Sequence, residues 1–205
     1  VSTLSTLSRL TRSGRDHVAV DTAGPFTTSE GGNVHVLVVV DVKSRFVVTR
    51  PLKDLSEEVM GRTLYEIFCQ FGPPKAMQSD NGTAFINKIV QALLTQAGTA
   101  QFSTTAYNPR ANGLAEAFVK RVKAALKKVL SGALEKWDRA LPGVTLALNK
   151  QEANLSHTPP FTLFFARAAN SWADYTLTPL ASQKDLAKAT SDADLAPAKE
   201  DEETI

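Results

Sequence analysis

The sequence holds few of the residues on which disulfide-linked folds, zinc sites and membrane spans depend. Cys69 is the only cysteine in 205 residues, so neither a disulfide framework nor a cysteine-based zinc site can form within the chain. The three histidines, at positions 17, 35 and 157, are too scattered for a zinc triad, and we interpret them as structural. The longest apolar run, residues 36–40, is far shorter than the roughly 18 residues of a membrane span. We therefore expect no membrane association.

The single cysteine also bears on location. Cys69 lies in an amphipathic stretch, and a free cysteine in such a stretch is more often a buried core residue than a nucleophile. We predict that Cys69 is buried and that the protein is intracellular, in a reducing compartment.

Charge is distributed unevenly along the chain. Seven acidic and three basic residues within 184–205 give −4, which leaves +6 for the rest of a chain whose total is +2. A basic body suits an anionic partner. We expect residues 1–14 to be the N-terminal edge of a longer chain or a linker, residues 15–170 to form the core, and residues 171–205 to be a linker and an acidic, disordered tail.

Hydrophobic periodicity predicts strands first and helices later. A β-branched run at 35–42 is apolar on both faces, which is typical of an interior strand. The full set of predicted strands is 17–21, 35–42, 45–52, 75–79 and 101–105. The predicted helices are 56–71, 85–97, 114–130 and 134–150, the last bent or broken near Pro142. This order indicates an α/β layer fold with a mixed sheet.

Three carboxylates occupy positions where functional groups collect in such a fold. Asp21 ends the first predicted strand, Asp80 ends the fourth, and Glu116 falls in the first turn of the helix predicted at 114–130. Three converging carboxylates would suit two Mg²⁺ ions, because hard cations prefer oxygen ligands. Considered alone, each acid could have an ordinary structural role, as a turn residue, a helix cap or a solvated helix residue.

The sequence around these acids resembles the catalytic core of retroviral-type integrases, in the branch of the gypsy-type LTR retrotransposons. The three motifs are Val20-Asp-Thr-Ala-Gly-Pro25, Ser79-Asp-Asn-Gly-Thr-Ala-Phe85 and Tyr107-Asn-Pro-Arg-Ala-Asn-Gly-Leu-Ala-Glu116. Between Asp80 and Glu116 lie 35 residues, the spacing that characterises this family. Downstream, Trp137, Asn149 and residues 157–167 are similar to the segment that closes the core in the retrotransposon branch.

The resemblance implies a ribonuclease H-like α/β fold, with a five-stranded mixed sheet flanked by helices. It implies that Asp21, Asp80 and Glu116 are catalytic residues that bind two Mg²⁺ (or Mn²⁺) ions, with no small-molecule cofactor. It also implies two reactions, 3′-end processing of element DNA and strand transfer into target DNA. The expected partners are DNA and further copies of the chain, from dimer to tetramer. In a eukaryotic host the chain would act in the nucleus during integration.

DNA contacts are expected beside the carboxylates. Lys120, Lys123 and Lys127 share a helical face with Glu116, opposite an apolar face of Phe118, Val122, Ala125 and Val129. Lysines beside the metal site can hold DNA phosphates; the alternative, a solvated basic face, has more weight for Lys127 than for Lys120 and Lys123. Residues 107–113 are predicted to form a mobile loop at the site. In the family, positions matching Tyr107 and Asn112 meet DNA near the cleaved bond, and Asn81 is a weaker candidate.

Departures from the family pattern keep other functions open. Leu114 stands where the family often has Gln, and Ala117 where it often has Arg. The family's upstream His/His/Cys/Cys zinc domain and a downstream chromodomain are not in this sequence, so we expect a fragment or a reduced protein that needs other chains. The main alternative is a domesticated, non-catalytic DNA-binding or scaffold protein. A ribonuclease H-type nuclease and a cut-and-paste transposase of the same fold are further alternatives.

Overall fold

Five strands and five helices make up the part of the chain that the computed structural model describes, which is residues 16–103, 109–130, 132–152 and 157–170. The strands are β1 (His17–Ala23), β2 (His35–Asp41), β3 (Val47–Leu52), β4 (Ala76–Ser79) and β5 (Ala100–Ser103). The helices are α1 (Glu57–Phe71), α2 (Lys88–Ala97), α3 (Pro109–Leu130), α4 (Trp137–Lys150) and α5 (Pro160–Phe165). A 3₁₀ turn, Leu134–Lys136, leads into α4. None of the helices described is long and apolar enough to cross a membrane.

The strands form one mixed sheet in the order β3-β2-β1-β4-β5. The β1–β2 and β2–β3 pairs are antiparallel, whereas β1–β4 and β4–β5 are parallel. The predicted five-stranded mixed sheet is confirmed. As the run of valines indicated, β2 is an interior strand, lying between β1 and β3.

Alternating side chains divide the core into two layers. Val18 and Val20 of β1 pack with residues of α1 and α2 on one face of the sheet. Ala23 of β1 and the even-numbered valines of β2 pack with α3 and α4 on the other face. Because side chains alternate with a period of two, odd-numbered positions of β1 face α3. This alternation determines the face on which Asp21 lies.

Residues of the predicted closing segment attach α4 and α5 to the edge strand β3. The buried side chain of Asn149 accepts a hydrogen bond from Val47 N and donates one to Val47 O, both 2.8 Å long. These two bonds satisfy backbone groups at the edge of the sheet, where no neighbouring strand does so. Phe164 of α5 stacks on the ring of Phe46, with 4.2 Å between the ring centroids.

The structure differs from two of the helix predictions. Helix α3 begins at Pro109 rather than Leu114, so Glu116 is its eighth residue and not part of its first turn. Residues 109–113 of the predicted mobile loop are therefore helical, which accords with the preference of proline for the first helical position. Helix α4 continues through Pro142 without a break. Pro142 is exposed and close to the helix start, so it removes one backbone hydrogen bond without ending the helix.

The prediction that Cys69 is buried was also wrong, because Cys69 is exposed. The buried face of α1 is formed by Met60, Leu64, Ile67 and Phe68. Cys69 is one residue beyond Phe68, and a step of one residue turns a helical side chain by about 100°. That rotation carries the thiol out of the core.

The loop between β1 and β2, residues 24–34, is fastened to the start of α4. Trp137, which is 2% exposed, donates from Nε1 to the carbonyl oxygen of Thr27 over 2.7 Å. Asp138 Oδ2 accepts from Ser29 Oγ at 2.6 Å and from Asn33 Nδ2 at 2.9 Å. These bonds fix a loop that contains two adjacent glycines and has little apolar surface of its own.

Asp138 is the electrostatic centre of this attachment. Burial by itself would raise the pKa of Asp138, but hydrogen bonds from Ser29, Asn33 and the N–H groups of Arg139 and Gly31 outweigh it and lower the pKa. A carboxyl whose pKa is lowered by folding stabilises the folded state above its ordinary value of 3.8. That contribution is lost as the pH falls through the lowered value.

We predict that Asp138→Ala reduces the free energy of unfolding by about 1–2 kcal/mol at pH 7, because several charge-assisted hydrogen bonds disappear together. Urea unfolding followed by circular dichroism measures the difference. The deficit should shrink as the pH falls below the ordinary aspartate range. Arg139→Gln is the matched control: it removes the exposed 2.9 Å ion pair with Glu30 and should change stability by less than about 0.5 kcal/mol. An equal loss in both variants would contradict this account of the loop.

Candidate active site

Parallel pairing of β1 with β4 sets two of the predicted carboxylates side by side. Ala19 is registered with Gln78, and the same offset carried two residues further along both strands sets Asp21 opposite Asp80. Neighbouring strands are about 4.8 Å apart, so the two acids leave the sheet at the same edge. Asp80 follows the last residue of β4, as predicted.

The third carboxylate reaches the same edge from α3. This helix packs across β1 and β2, on the face of the sheet toward which Asp21 points. Ala115 is fully buried in that interface, and Glu116, the next residue, is exposed. The charges of both Asp80 and Glu116 act on Asp21, which shows that the three acids share one electrostatic environment.

The pKa of Asp21 is raised above its ordinary value. Burial is the largest cause, and the N–H of Thr22, 2.7 Å from Asp21 Oδ1, acts in the opposite direction. The negative charges of Asp80 and Glu116 raise the pKa further, while the ammonium of Lys123 lowers it. Concentrated negative charge with one nearby lysine is the electrostatic pattern of a site that attracts cations.

The turn after β4 holds the Asp80 carboxylate. Gly82 N donates to Asp80 Oδ1 over 3.0 Å, and Phe85 N donates to Gly82 O over the same distance. A Cβ atom at Gly82 would lie 2.8 Å from Asp80 Oδ1, so any larger residue would displace the carboxylate. The Asp-Asn-Gly sequence is therefore both a tight turn and the support of a site residue.

The donor set has the chemistry of a magnesium site, although the three acids are not drawn together. Within the described ranges, no three His, Cys, Asp or Glu side chains come close enough to share a metal ion as they stand. Mutual repulsion among carboxylates favours their separation, and a divalent cation would offset it. Hard oxygen donors and a partly exposed edge suit Mg²⁺ or Mn²⁺. Asp21, Asp80 and Glu116 are the residues that would hold such ions.

A row of lysines continues from Glu116 along α3. Lys120, Lys123 and Lys127 are all exposed. The opposite face is buried through Ala115, Phe118, Val122 and Leu126, so the predicted two-faced helix is largely present. Val129, predicted on the buried face, is 61% exposed. It lies in the last turn of α3, where a shallow groove between α3 and α4 replaces the closed core.

The remaining predicted DNA contacts are placed only in part. Asn81 is exposed directly after Asp80, at the carboxylate edge. Tyr107 lies outside the described residues. Asn112 belongs to α3, but its side chain lies outside the described part of the chain. Asp41, the last residue of β2, is buried and accepts from Ser44 N at 2.7 Å, so its carboxylate stabilises a turn.

Phe26 is the residue at this edge that sequence reasoning missed. Its ring is half-buried, and the Nζ atom of Lys123 lies 5.9 Å from the ring centroid. The one feature of the sequence that could have indicated a place near the site is its position directly after the Gly-Pro of the first motif. Nothing in the sequence indicated that this loop residue would meet a lysine of α3, almost one hundred residues later.

Comparison with known proteins supports the family resemblance described in the sequence analysis. The family model of the integrase core domain matches residues 15–109, a range that includes Asp21 and Asp80 and ends before Glu116. Gypsy retrotransposon integrase-like protein 1 of Bos taurus is 30% identical over 150 residues, which cover 73% of this chain and 30% of that protein. The Pro-Pol polyprotein of Simian foamy virus type 1 is 33% identical over 152 residues, which cover 74% of this chain and 13% of that protein. The chain thus spans less than a third of these relatives.

Solved structures share the fold at lower identity. The catalytic core domain of BIV integrase matches with a TM-score of 0.62 and 18% identity, covering 75% of this chain and 95% of that one. A chain of the simian T-cell lymphotropic virus intasome, solved in complex with PP2A regulatory subunit B56 gamma, matches with a TM-score of 0.65 and 18% identity. This second match covers 82% of this chain and 60% of that one. Together these likenesses establish a ribonuclease H-like arrangement of sheet and helices.

We predict that Asp21→Asn stabilises the metal-free protein at pH 7, by up to about 1 kcal/mol after solvent screening, because it removes a partly buried charge that two neighbouring acids repel. A carboxyl whose pKa is raised by folding costs stability once it ionises. The gain should therefore appear as the pH rises above the ordinary value of 3.8 and vanish below it. Thermal unfolding in EDTA across this pH range measures the difference.

Asp54→Asn is the matched control for this prediction. Asp54 is fully exposed, and hydrogen bonds from Ser56 lower its pKa, so the substitution should not raise stability. A midpoint for Asp21→Asn at or below that of the unmodified chain at pH 7 would contradict the electrostatic description of the site.

Proposed function

We propose that this protein, which belongs to the retroviral-type integrase core family, is a polynucleotidyl transferase core. In this proposal it processes the 3′ ends of element DNA and joins them to target DNA. The observation that carries the proposal is the β1–β4 register, which places Asp21 opposite Asp80 when it is continued two residues past its last pair, with Glu116 at the same edge. A basic helix face runs from that edge, as a DNA-handling site requires.

Each group in the site has a part in this chemistry. Two Mg²⁺ or Mn²⁺ ions held by Asp21, Asp80 and Glu116 would activate the attacking oxygen and stabilise the leaving oxygen of an in-line phosphoryl transfer. The protein orients its own acids: Thr22 N and Gly82 N each donate to one carboxylate oxygen. The lysines of α3 supply positive charge for the DNA phosphates, which provides affinity and register rather than choice of sequence.

We further propose that the working form is an assembly of several copies on DNA, from dimer to tetramer, acting in the nucleus where the host is eukaryotic. One structural neighbour is a chain of an intasome, which supports an assembly of this kind for the present chain. Because the chain spans 30% or less of the relatives described above, other segments would contribute to such an assembly.

A second candidate function is DNA binding without catalysis, in a domesticated descendant of an integrase. The observation in its favour is the surface around Glu116, where Leu114 is half-buried and Ala117 is exposed. Neither side chain offers the polar or cationic group that the family often has there. Such a protein would keep the lysine row and the fold but lack transfer activity.

A disintegration assay on a branched DNA substrate with Mg²⁺ or Mn²⁺ separates the two functions. We predict metal-dependent activity in the unmodified chain and a loss of at least about 100-fold in Glu116→Gln, because a neutral amide is a poor ligand for a hard cation. Glu66→Gln is the matched control; it alters an exposed acid of α1 that pairs with Arg62, and should retain full activity.

Two outcomes would count against transfer activity. The first is a folded chain that binds DNA but stays inactive after the family's zinc domain is supplied in trans, which favours the binding protein. The second is activity that survives in Glu116→Gln, which would place the chemistry elsewhere.

The lysine row makes a separate prediction about salt. Each lysine that neutralises a phosphate should contribute about 0.9 to the slope of log K against log salt concentration. We expect Lys127→Gln to reduce that slope by about this amount, because Lys127 shares the face of Glu116. Lys128→Gln is the control, since Lys128 is equally exposed but turned about 100° away. Fluorescence anisotropy with a labelled DNA duplex at several salt concentrations measures both slopes. Equal slopes in the two variants would mean that this face is merely solvated.

A further inference from the structure

Lys123 holds an unusual position among the cations of the described part of the chain. Its ammonium is close enough to Asp21 to lower the pKa of that carboxyl, although its side chain is exposed. The ion pairs found in the described residues join Arg62, Lys75 and Arg139 to their acids, and none of them uses Lys123. An exposed lysine without an ion pair has many rotamers available, so a second contact beside the attraction to Asp21 would help to order it.

That contact is the ring of Phe26. Lys123 Nζ lies 5.9 Å from the ring centroid, within the range over which an ammonium is attracted to an aromatic face. Phe26 comes from the β1–β2 loop, five residues after Asp21, whereas Lys123 comes from the middle of α3. The pair therefore joins the strand that carries the first carboxylate to the helix that carries the third.

Phe26 is itself held rigidly. Its ring lies against that of Trp137 with 5.1 Å between centroids, and its N–H donates to the carbonyl oxygen of Val34 over 2.7 Å. Trp137 is buried and bonded to the neighbouring Thr27. The ring under Lys123 is thus supported from the core side by α4 and from the loop side by backbone bonds. A rigid ring is a more effective guide for a long side chain than a mobile one.

We propose that Phe26 is a positioning residue, whose ring holds the Lys123 ammonium at the carboxylate edge, oriented to meet a phosphate of the DNA end. The proposal rests on the proposed function, because DNA contact by Lys123 is part of it. Phe26 does not touch the reacting atoms and acts through Lys123. The ring orders one cationic donor before DNA arrives, which lowers the entropy that binding would otherwise lose.

A purely structural role for Phe26 predicts different behaviour. The ring also borders the core layer formed by α3 and α4, so its removal could weaken binding simply by loosening the fold. Phe26→Leu keeps apolar bulk and removes the aromatic face, and Phe26→Tyr keeps the face. Lys123→Gln removes the cation. Combining Phe26→Leu with Lys123→Gln in a double-mutant cycle isolates the coupling between the two side chains.

The first measurement is the affinity of each variant for a labelled DNA duplex that mimics an element end, by fluorescence anisotropy at fixed salt. We expect Phe26→Leu to weaken binding about two- to fivefold, the range that a cation–π contact of ordinary strength gives. Phe26→Tyr should restore it. In the Lys123→Gln background, Phe26→Leu should have no further effect. As a control, the effect of Phe26→Leu should persist in full in the Lys127→Gln background, because Lys127 is one turn further along α3.

The proposal is overturned if Phe26→Leu leaves affinity unchanged, or if it weakens binding equally with and without Lys123. Equal weakening together with a lower unfolding midpoint would identify Phe26 as a packing residue only.

A second measurement does not depend on DNA. Reductive methylation with ¹³C-formaldehyde places an NMR-visible dimethyl group on each lysine, and Lys123→Gln identifies the signal of position 123. Ring currents should shift that signal upfield in the unmodified chain and in Phe26→Tyr, and the shift should vanish in Phe26→Leu. An unshifted signal in the methylated chain without substitutions would overturn the proposal, because the ammonium would then not lie over the ring. If the unmodified chain fails to bind DNA, the proposed function fails, and the methyl shift still decides whether Phe26 holds Lys123.

Discussion

The parallel pairing of β1 with β4 is the constraint on which the rest of the site depends. It brings together two segments almost sixty residues apart in the chain, and its register sets Asp21 opposite Asp80. A slip of one residue would turn one carboxylate to the opposite face of the sheet. The antiparallel strands β2 and β3 on one side and β5 on the other cover the edges of this pair and hold its register.

Helix α3 completes the site because its two faces have opposite requirements. The buried face, from Ala115 through Phe118 and Val122 to Leu126, fixes how the helix lies across β1 and β2. Once that face is buried, Glu116 and the lysines have no position but the solvent side, next to the strand ends. The same burial therefore places a carboxylate at the site and a basic surface along its approach.

Within this small region, the charges that the site needs lower the stability of the fold, whereas the neighbouring loop attachment raises it. At the site, burial and two neighbouring acids raise the pKa of Asp21, so its ionised form costs folding free energy. At the far end of the β1–β2 loop, hydrogen bonds lower the pKa of Asp138, so its ionised form stabilises the fold. The attachment of this loop to α4 thus offsets some of the strain of gathering charge at the carboxylate edge, and it carries Phe26 to the same place. A preorganised site requires that the free-energy cost of its charged residues be offset by stabilising interactions in the segments that hold them.

By itself the sequence determined which segments become strands and helices, that the sheet is mixed, and which three acids stand at strand ends and on a basic helix. Those features follow from local rules: the continuous run of β-branched residues in β2, the apolar stripe of α3, and the turn residues after Asp80. The exposure of Val129 and the contact between Phe26 and Lys123 were decided only in the tertiary structure. Each depends on how one element packs against another that is distant in sequence, and local periodicity carries no information about that contact.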